Sequence, residues 1–331
     1  MNGFKMINLD LKDRKILYQL DMNCRQSNSQ IGRKVGLSKQ VVDYRIKRME
    51  DTGVIKNYYT TINTFKLGYD VFRLYITYQD VNPRIKDEII KYFVDCENSW
   101  AVLSAKAPID LDVVLWVKNI YEFYQFWNKT LSLYEDYFAE KTVSIYIEGI
   151  DYKKSYLLFN DYEKSDREIG RQRCGEKAVK IDSIDYQLLN ELAVNARSPS
   201  VELAEKLGCS SQTINYRINN LKKKDIIQHF RVYLEYSKIG MQNISIDLYL
   251  KEYKLRNNII DYLKYNPYLF CMNIAIGWAD LQPEFVVENI ESLNQIIEDM
   301  NSKFPKSIRK STFWIMTKVH KERWLPEMEF K

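Results

Sequence analysis

Histidine is nearly absent from this 331-residue chain, with His229 and His320 as its only two. Neither falls in a predicted pocket beside a partner, so general acid/base chemistry has little support and no catalytic residue is expected. The five cysteines (Cys24, Cys96, Cys174, Cys209, Cys271) are odd in number and scattered, without a CxxC pair. That excludes a disulfide framework and a zinc knuckle, leaves no metal site, and fits a reducing cytoplasm. No apolar run approaches the roughly 18 residues of a membrane span. The start "MNGFKMINLD" lacks the apolar core of a secretory signal. A cytoplasmic protein without membrane partners is therefore expected. Nothing resembling a nucleotide loop, metal cluster or nucleophile constellation is present, so no cofactor is expected either.

What is present suffices for packed cores, at 46% hydrophobic and 28% charged residues. The net charge of +5 is modest, but it is unevenly placed: residues 1–64 carry +6, residues 65–150 carry −4 and residues 181–236 balance to zero. Sign clustering bears on partners more than the total does.

The chain also repeats itself. Shifted by 172 residues, "DLKDRKILYQLDMNCR" overlies "DSIDYQLLNELAVNAR", and "VGLSKQVVDYRIKRME" overlies "LGCSSQTINYRINNLK". Matched pairs run without a gap from Asp10/Asp182 through Asn23/Asn195, Gly36/Gly208, Tyr44/Tyr216 and Arg45/Arg217 to Gly68/Gly240. A period so long is a domain duplication, not a solenoid.

Each copy opens with three short helical patterns. In the first, Ser27 and Gln30 form a capping box before a helix that stops at Gly36, and a third helix runs from Ser38 to about Glu50. Val42, Ile46 and Met49, like Ile214, Ile218 and Leu221, fall on one stripe that faces the core. Lys39, Gln40, Asp43 and Lys47, and in the second copy Ser211, Gln212, Asn215 and Asn219, then point outward. The β-rich stretches "VIKNYYTTIN" and "IIQHFRVYLE" read as hairpin wings. The rest of each copy reads strand, helix, strand, strand, helix, strand, a ferredoxin-like α+β unit. Its aromatic strand residues Tyr75, Tyr78, Trp116, Tyr146, Tyr249 and Trp314 are read as facing helices or a partner sheet. The predicted organisation is a winged helix-turn-helix at 1–64, a ferredoxin-like domain at 65–159, a charged linker at 160–180, a second winged helix at 181–236 and a second ferredoxin-like domain at 237–331.

A winged helix followed by βαββαβ, the opening "LDLKDRKIL", the turn "VGLS" and "RIKRMEDTGVI" leading into the wing together resemble the Lrp/AsnC family of transcription regulators. The resemblance implies a double-stranded-DNA-binding regulator that assembles as a homo-oligomer through its ferredoxin-like domains and responds to an amino-acid effector. That family carries one unit per chain, so the tandem departs from it, and the halves are open to pairing within one chain or between chains. The resemblance implies an effector turn of Gly-x-x-Asp type, matched by Gly277 and Asp280 in "GWADL". In "APIDL" only Asp110 remains. Relatives of this fold that decarboxylate siroheme supply the enzyme alternative, and a protein-docking module is a third reading.

The DNA-contact candidates are Arg33, Lys34, Ser38, Lys39, Gln40, Asp43, Tyr44, Arg45, Lys47 and Arg48 in the first copy. In the second they are Ser210, Ser211, Gln212, Asn215, Tyr216, Arg217, Asn219, Lys222, Lys223 and Lys224. Amides and basic groups on a helix reach base edges and phosphates in a major groove. Tyr44 and Tyr216 are open to two readings, packing under the helix or touching phosphate. Asp43 would repel phosphate unless it accepts from a cytosine amino group or pairs locally.

Overall fold

The computed structural model describes residues 6–158 and 167–330. The first three helices are α1 (Leu11–Met22), α2 (Asn28–Val35) and α3 (Lys39–Asp51). Their counterparts in the second copy are α6 (Ser183–Val194), α7 (Ser200–Leu207) and α8 (Ser211–Lys223). The Ser27/Gln30 capping box forms as expected. Gly36 and Gly208 close α2 and α7 in the left-handed conformation, at φ +68° and +62°, which a side chain disfavours. Ser38 and Ser210 then cap the following helices two residues on, which makes the turn of each helix-turn-helix.

The expected hairpin wings do not form. Each copy instead contributes one long strand, β1 (Ile55–Ile62) or β7 (Ile227–Leu234), and the two pair antiparallel with each other as a separate ribbon. The alternation of aromatic and β-branched residues is satisfied equally by a local or a distant partner, and here the partner lies about half a chain away.

The βαββαβ units appear as expected. The first holds β2 (Asp70–Tyr78), α4 (Pro83–Asp95), β3 (Ser99–Lys106), β4 (Leu111–Val117), α5 (Ile120–Tyr134) and β5 (Phe138–Tyr152). The second holds β8 (Gln242–Leu250), α9 (Arg256–Leu263), β9 (Leu269–Ile276), β10 (Gln282–Val287), α10 (Ile290–Lys303) and β11 (Ile308–Glu322). The final strand of each unit is long enough to pair first with its own unit and then with the other: β5 leaves β2 for β9, and β11 leaves β8 for β3. The ladder thereby closes through eight strands in the order β2-β4-β3-β11-β8-β10-β9-β5 and back to β2. Of the two pairing modes left open by the sequence, the intramolecular one is realised.

Alternation along the strands decides the layers. Phe72, Leu74 and Ile76 pack under α4 and α5, and Ile244, Ile246 and Leu248 under α9 and α10. The intervening residues, Arg73 and Tyr75 on one side and Ser245 and Asp247 on the other, face inward between the two units. Tyr75, Trp116, Tyr146 and Trp314 lie on this inner side, so these rings serve as partner-sheet contacts.

The interval read as a linker is partly structured. Residues 160–166 lie outside the described segments, but Glu168–Arg173 form β6, which adds to the end of β5. Arg171 and Arg173 hold it there through Glu148. Arg167, buried, donates to the carbonyls of Pro267 and Leu269 at the start of β9. Among the described residues of this charged interval, Glu168, Arg171 and Arg173 thus make ion pairs at a sheet edge.

Candidate nucleic-acid interface

The opening motif of each copy explains the local geometry. Asp10 and Asp182 are the N-caps of α1 and α6. Asp13 and Asp185, three residues on, are buried carboxyl groups, and a buried carboxylate requires a cation. Arg45 of α3 supplies it, donating to Asp10 at 2.7 Å and Asp13 at 2.8 Å, while Arg48 reaches Asp13 at 2.6 Å. Arg217 does the same in the second copy, at 2.8 Å to Asp182 and 2.7 Å to Asp185. Asp10 and Asp182 are held below the usual carboxylate range; burial opposes this, but the backbone donors at Asp13 and Asp185 and the facing guanidiniums outweigh it. Arg45, Arg48 and Arg217, DNA-contact candidates in the sequence, thus also bridge the first and third helices.

The other candidates divide by position. Lys39, Gln40 and Lys47 on α3, and Gln212, Asn215 and Asn219 on α8, are exposed along the outer face. Arg33 and Lys34 are exposed at the end of α2, Lys34 donating to Gln26 at 2.5 Å. Lys222 and Lys223 are exposed and Lys224 half-buried at the C-terminus of α8, and Ser211 is half-buried at its start. Tyr44 and Tyr216 are 67% and 70% exposed, which removes the reading that packs them under the helix. Asp43 pairs locally, accepting from the Asn28 amide, and Asn215 accepts from Ser200 at 2.7 Å. Ser38 and Ser210 spend their hydroxyls as caps.

The two helix-turn-helix units are locked to each other, a feature the sequence reading missed. Arg25 donates to the carbonyls of Ala196 and Ser198, both at 2.8 Å. Its repeat mate Arg197 donates to the Cys24 carbonyl at 3.1 Å and to the Asn28 side chain. Backbone bonds from Cys24 to Phe230 and from Ala196 to Tyr58 tie each unit to the other's ribbon strand. Recurrence of "NxR" at Asn23–Arg25 and Asn195–Arg197 was the available signal.

The turn expected to bind an effector has a structural employment. Asp110 accepts from the Tyr78 backbone at 2.9 Å and Asp280 from the Leu250 backbone at 2.6 Å. Gly277, at φ +98°, lies so close to the Val143 carbonyl of the other unit that a Cβ would sit 2.4 Å from its oxygen. Ala107, at the equivalent place in the first copy, precedes a cis proline.

Comparison with known proteins agrees with this architecture. The winged helix-turn-helix DNA-binding family matches residues 9–56 and again 181–228. An HTH-type transcriptional regulator of Pyrococcus furiosus, itself uncharacterized, is 30% identical over 118 residues, covering 36% of this chain and 78% of that one. The HTH-type transcriptional regulator LrpB of Bacillus subtilis is 33% identical over 84 residues, 25% of this chain and 55% of that one. In fold, the crystal structure of the siroheme decarboxylase NirDL matches 96% of this chain and 94% of its own, with a TM-score of 0.63 at 12% identity. That last likeness is one of architecture alone. The chain belongs to the Lrp/AsnC family of DNA-binding, HTH-type transcriptional regulators, with the family's unit present twice in one polypeptide.

Proposed function

We propose that the protein is a sequence-specific regulator that grips double-stranded DNA with α3 and α8 in two major grooves at once. The observation that carries this reading is the lock between the helix-turn-helix units, the β1–β7 ribbon with the crossed Arg25 and Arg197 bonds, which fixes two exposed polar helix faces in one body. Base reading falls to Gln40, Gln212, Asn215 and Asn219, whose amides match donor and acceptor patterns on base edges. Phosphate attraction falls to Lys39, Lys47, Arg33 and the Lys222–Lys224 run. Assembly of several chains belongs to the same proposal. With both sheet partners of each unit already supplied within the chain, such assembly would use outer helices rather than strand edges.

The decarboxylase reading has the whole-chain fold in its favour, but a fold hosts many chemistries. His229 and His320 do not line the cavity between the βαββαβ units, and His320 is bonded to Ser104 at 2.8 Å. The test of the regulator reading is selection of bound fragments from a genomic pool at near-physiological salt. Enrichment of a recurrent two-part sequence is expected. Recovery of the input distribution, by folded protein, would remove the proposal.

A further inference from the structure

Between the β1–β7 ribbon and the facing sheets lies a cavity of about 650 Å³. Tyr59, Trp100, Trp116, Phe270, Trp314 and Trp324 supply aromatic walls. Most of its charges are accounted for. Arg73, between the rings of Tyr75, Tyr146 and Trp314, donates twice to Asp112, at 2.7 and 2.5 Å, and to the Tyr146 hydroxyl at 2.6 Å. Lys154 and Arg231 hold Asp21, with Asp151 beside them, and Lys56 pairs with Glu235. Lys318 is exposed.

Two carboxylates remain without a cation among the described residues. Glu322 holds only the Tyr233 hydroxyl, at 2.6 Å. Glu284 receives the amides of Asn273 at 3.1 Å and Asn243 at 3.4 Å and makes no ion pair. Ser245 stands directly across from Glu284 in the β10–β8 ladder and from Trp314 in the β8–β11 ladder. Its hydroxyl is buried without a partner, as are the Asn243 carbonyl oxygen and the Trp314 indole N–H. Both Ser245 and Trp314 are 97% buried, at 3% exposure. A buried polar atom left unmatched is costly, and here three converge beside a lone carboxylate in an aromatic-walled space.

We propose that this cavity is a binding site for a small organic amine, whose ammonium group sits against Glu284 with the Asn243 carbonyl and Ser245 hydroxyl as further acceptors and whose body lies on the indoles. An ammonium offers three donors, which these three acceptors match. The aromatic faces favour the same charge, as they do around Arg73 within this protein. The Trp314 N–H then calls for an acceptor oxygen on the ligand's body. Burial raises the Glu284 carboxyl above its ordinary range, the more distant Arg73 opposing this in part and Asp112 adding to it; Cys271 donates to it, and Tyr146 and Glu322 also lie within its field. An ammonium at this place supplies the counter-charge that the buried carboxylate lacks.

The probes are tyramine, whose phenol oxygen can meet the Trp314 N–H, agmatine and putrescine as amines without that oxygen, and 3-(4-hydroxyphenyl)propionic acid as a charge-reversed match for tyramine. Binding is read by tryptophan fluorescence and calorimetry on the full chain without DNA, so the outcome is independent of whether the protein reads DNA. At least one amine is expected to bind, the acid not at all, and Glu284→Gln is expected to weaken that amine roughly tenfold or more. If no amine binds, if the acid binds equally, or if Glu284→Gln stays folded and binds as well as the wild type, the proposal fails.

Discussion

An arginine on the third helix of a helix-turn-helix can also hold the domain that carries it, and Arg45 and Arg217 do so through Asp13 and Asp185. Asp13 is 1% exposed, so removing Arg45 leaves a buried carboxylate facing only Arg48, at a cost of about 1–3 kcal/mol. Arg45→Ala and Arg217→Ala are expected to lower the melting temperature while leaving the salt dependence of DNA binding almost unchanged. Lys39→Gln with Lys47→Gln should do the reverse. Removing one lysine–phosphate pair lowers the log-log salt slope by about 0.9, so the double substitution should lower it by roughly 1.8 without affecting melting. Lys223→Gln with Lys224→Gln, in a unit of zero net charge and with Lys224 half-buried, should lower it less; equal slopes in the two salt titrations would reject this inequality. His229 supplies a second residue-scale expectation. Burial against β6, reinforced by Arg231 and Lys222, holds its imidazole down to about 4. Its unfolded value is near 6.5, so the unfolded chain binds the extra proton between those values. The stability it protects is complete above that pH and is lost as pH falls toward about 4, by about 1–3 kcal/mol. Urea unfolding of His229→Gln beside the wild type should show a flatter acid limb.

At the scale of elements, the connection between β9 and β10 is where one βαββαβ unit touches the other's backbone. Gly277→Ala would place a methyl against the Val143 carbonyl at a φ that side chains rarely adopt. A loss of about 1–3 kcal/mol is expected, measured as a lower urea midpoint, whereas Ala107→Gly at the equivalent turn should cost nothing. Helices and strands themselves were legible, because α3 shows its stripe at Val42, Ile46 and Met49 and β2 its alternation of Phe72, Leu74 and Ile76 within a few residues. Partner choice was not. β1 alternates as a wing strand would, and nothing within it states that Leu234 and not a near neighbour stands across from Ile55. The bond of Arg45 to Asp13 was not legible for a related reason: a cation 2.8 Å from the Asp13 carboxylate in space is 32 residues from it in sequence. The Glu284, Ser245 and Trp314 cluster was invisible because three strands must pair in register before those residues meet.

For the whole molecule, fusing the two units in one chain frees each from matching its mate. At one junction of ribbon and sheets, Asp21, Arg231 and Lys154 form a buried ionic knot, with Lys154 donating to Asp21 at 2.5 Å. At the other, Tyr59 stacks on Trp324 at 4.2 Å with Tyr233 edge-on to both. A symmetric dimer of identical chains would have to present one solution at both places. On the proposed reading the same asymmetry reaches the DNA face, where the first unit is basic and the second neutral, so its two half-sites need not be copies of one sequence. Their separation, however, is dictated by the lock. On the proposed reading, two helices held in one body engage two major grooves only when the grooves are spaced as the helices are, and paired helix-turn-helix units take half-sites about one helical turn, roughly 34 Å, apart. Inserting half a turn between half-sites puts the second groove on the wrong face, and inserting a full turn moves it beyond reach. Both insertions are therefore expected to reduce affinity to that of a single half-site, measured by fluorescence anisotropy at fixed salt. Units on a loose tether would tolerate the full-turn insertion, so retained affinity there would show that the Arg25 and Arg197 lock opens on DNA. Arg25→Ala with Arg197→Ala should move the wild type toward that tolerance while leaving binding to one half-site intact.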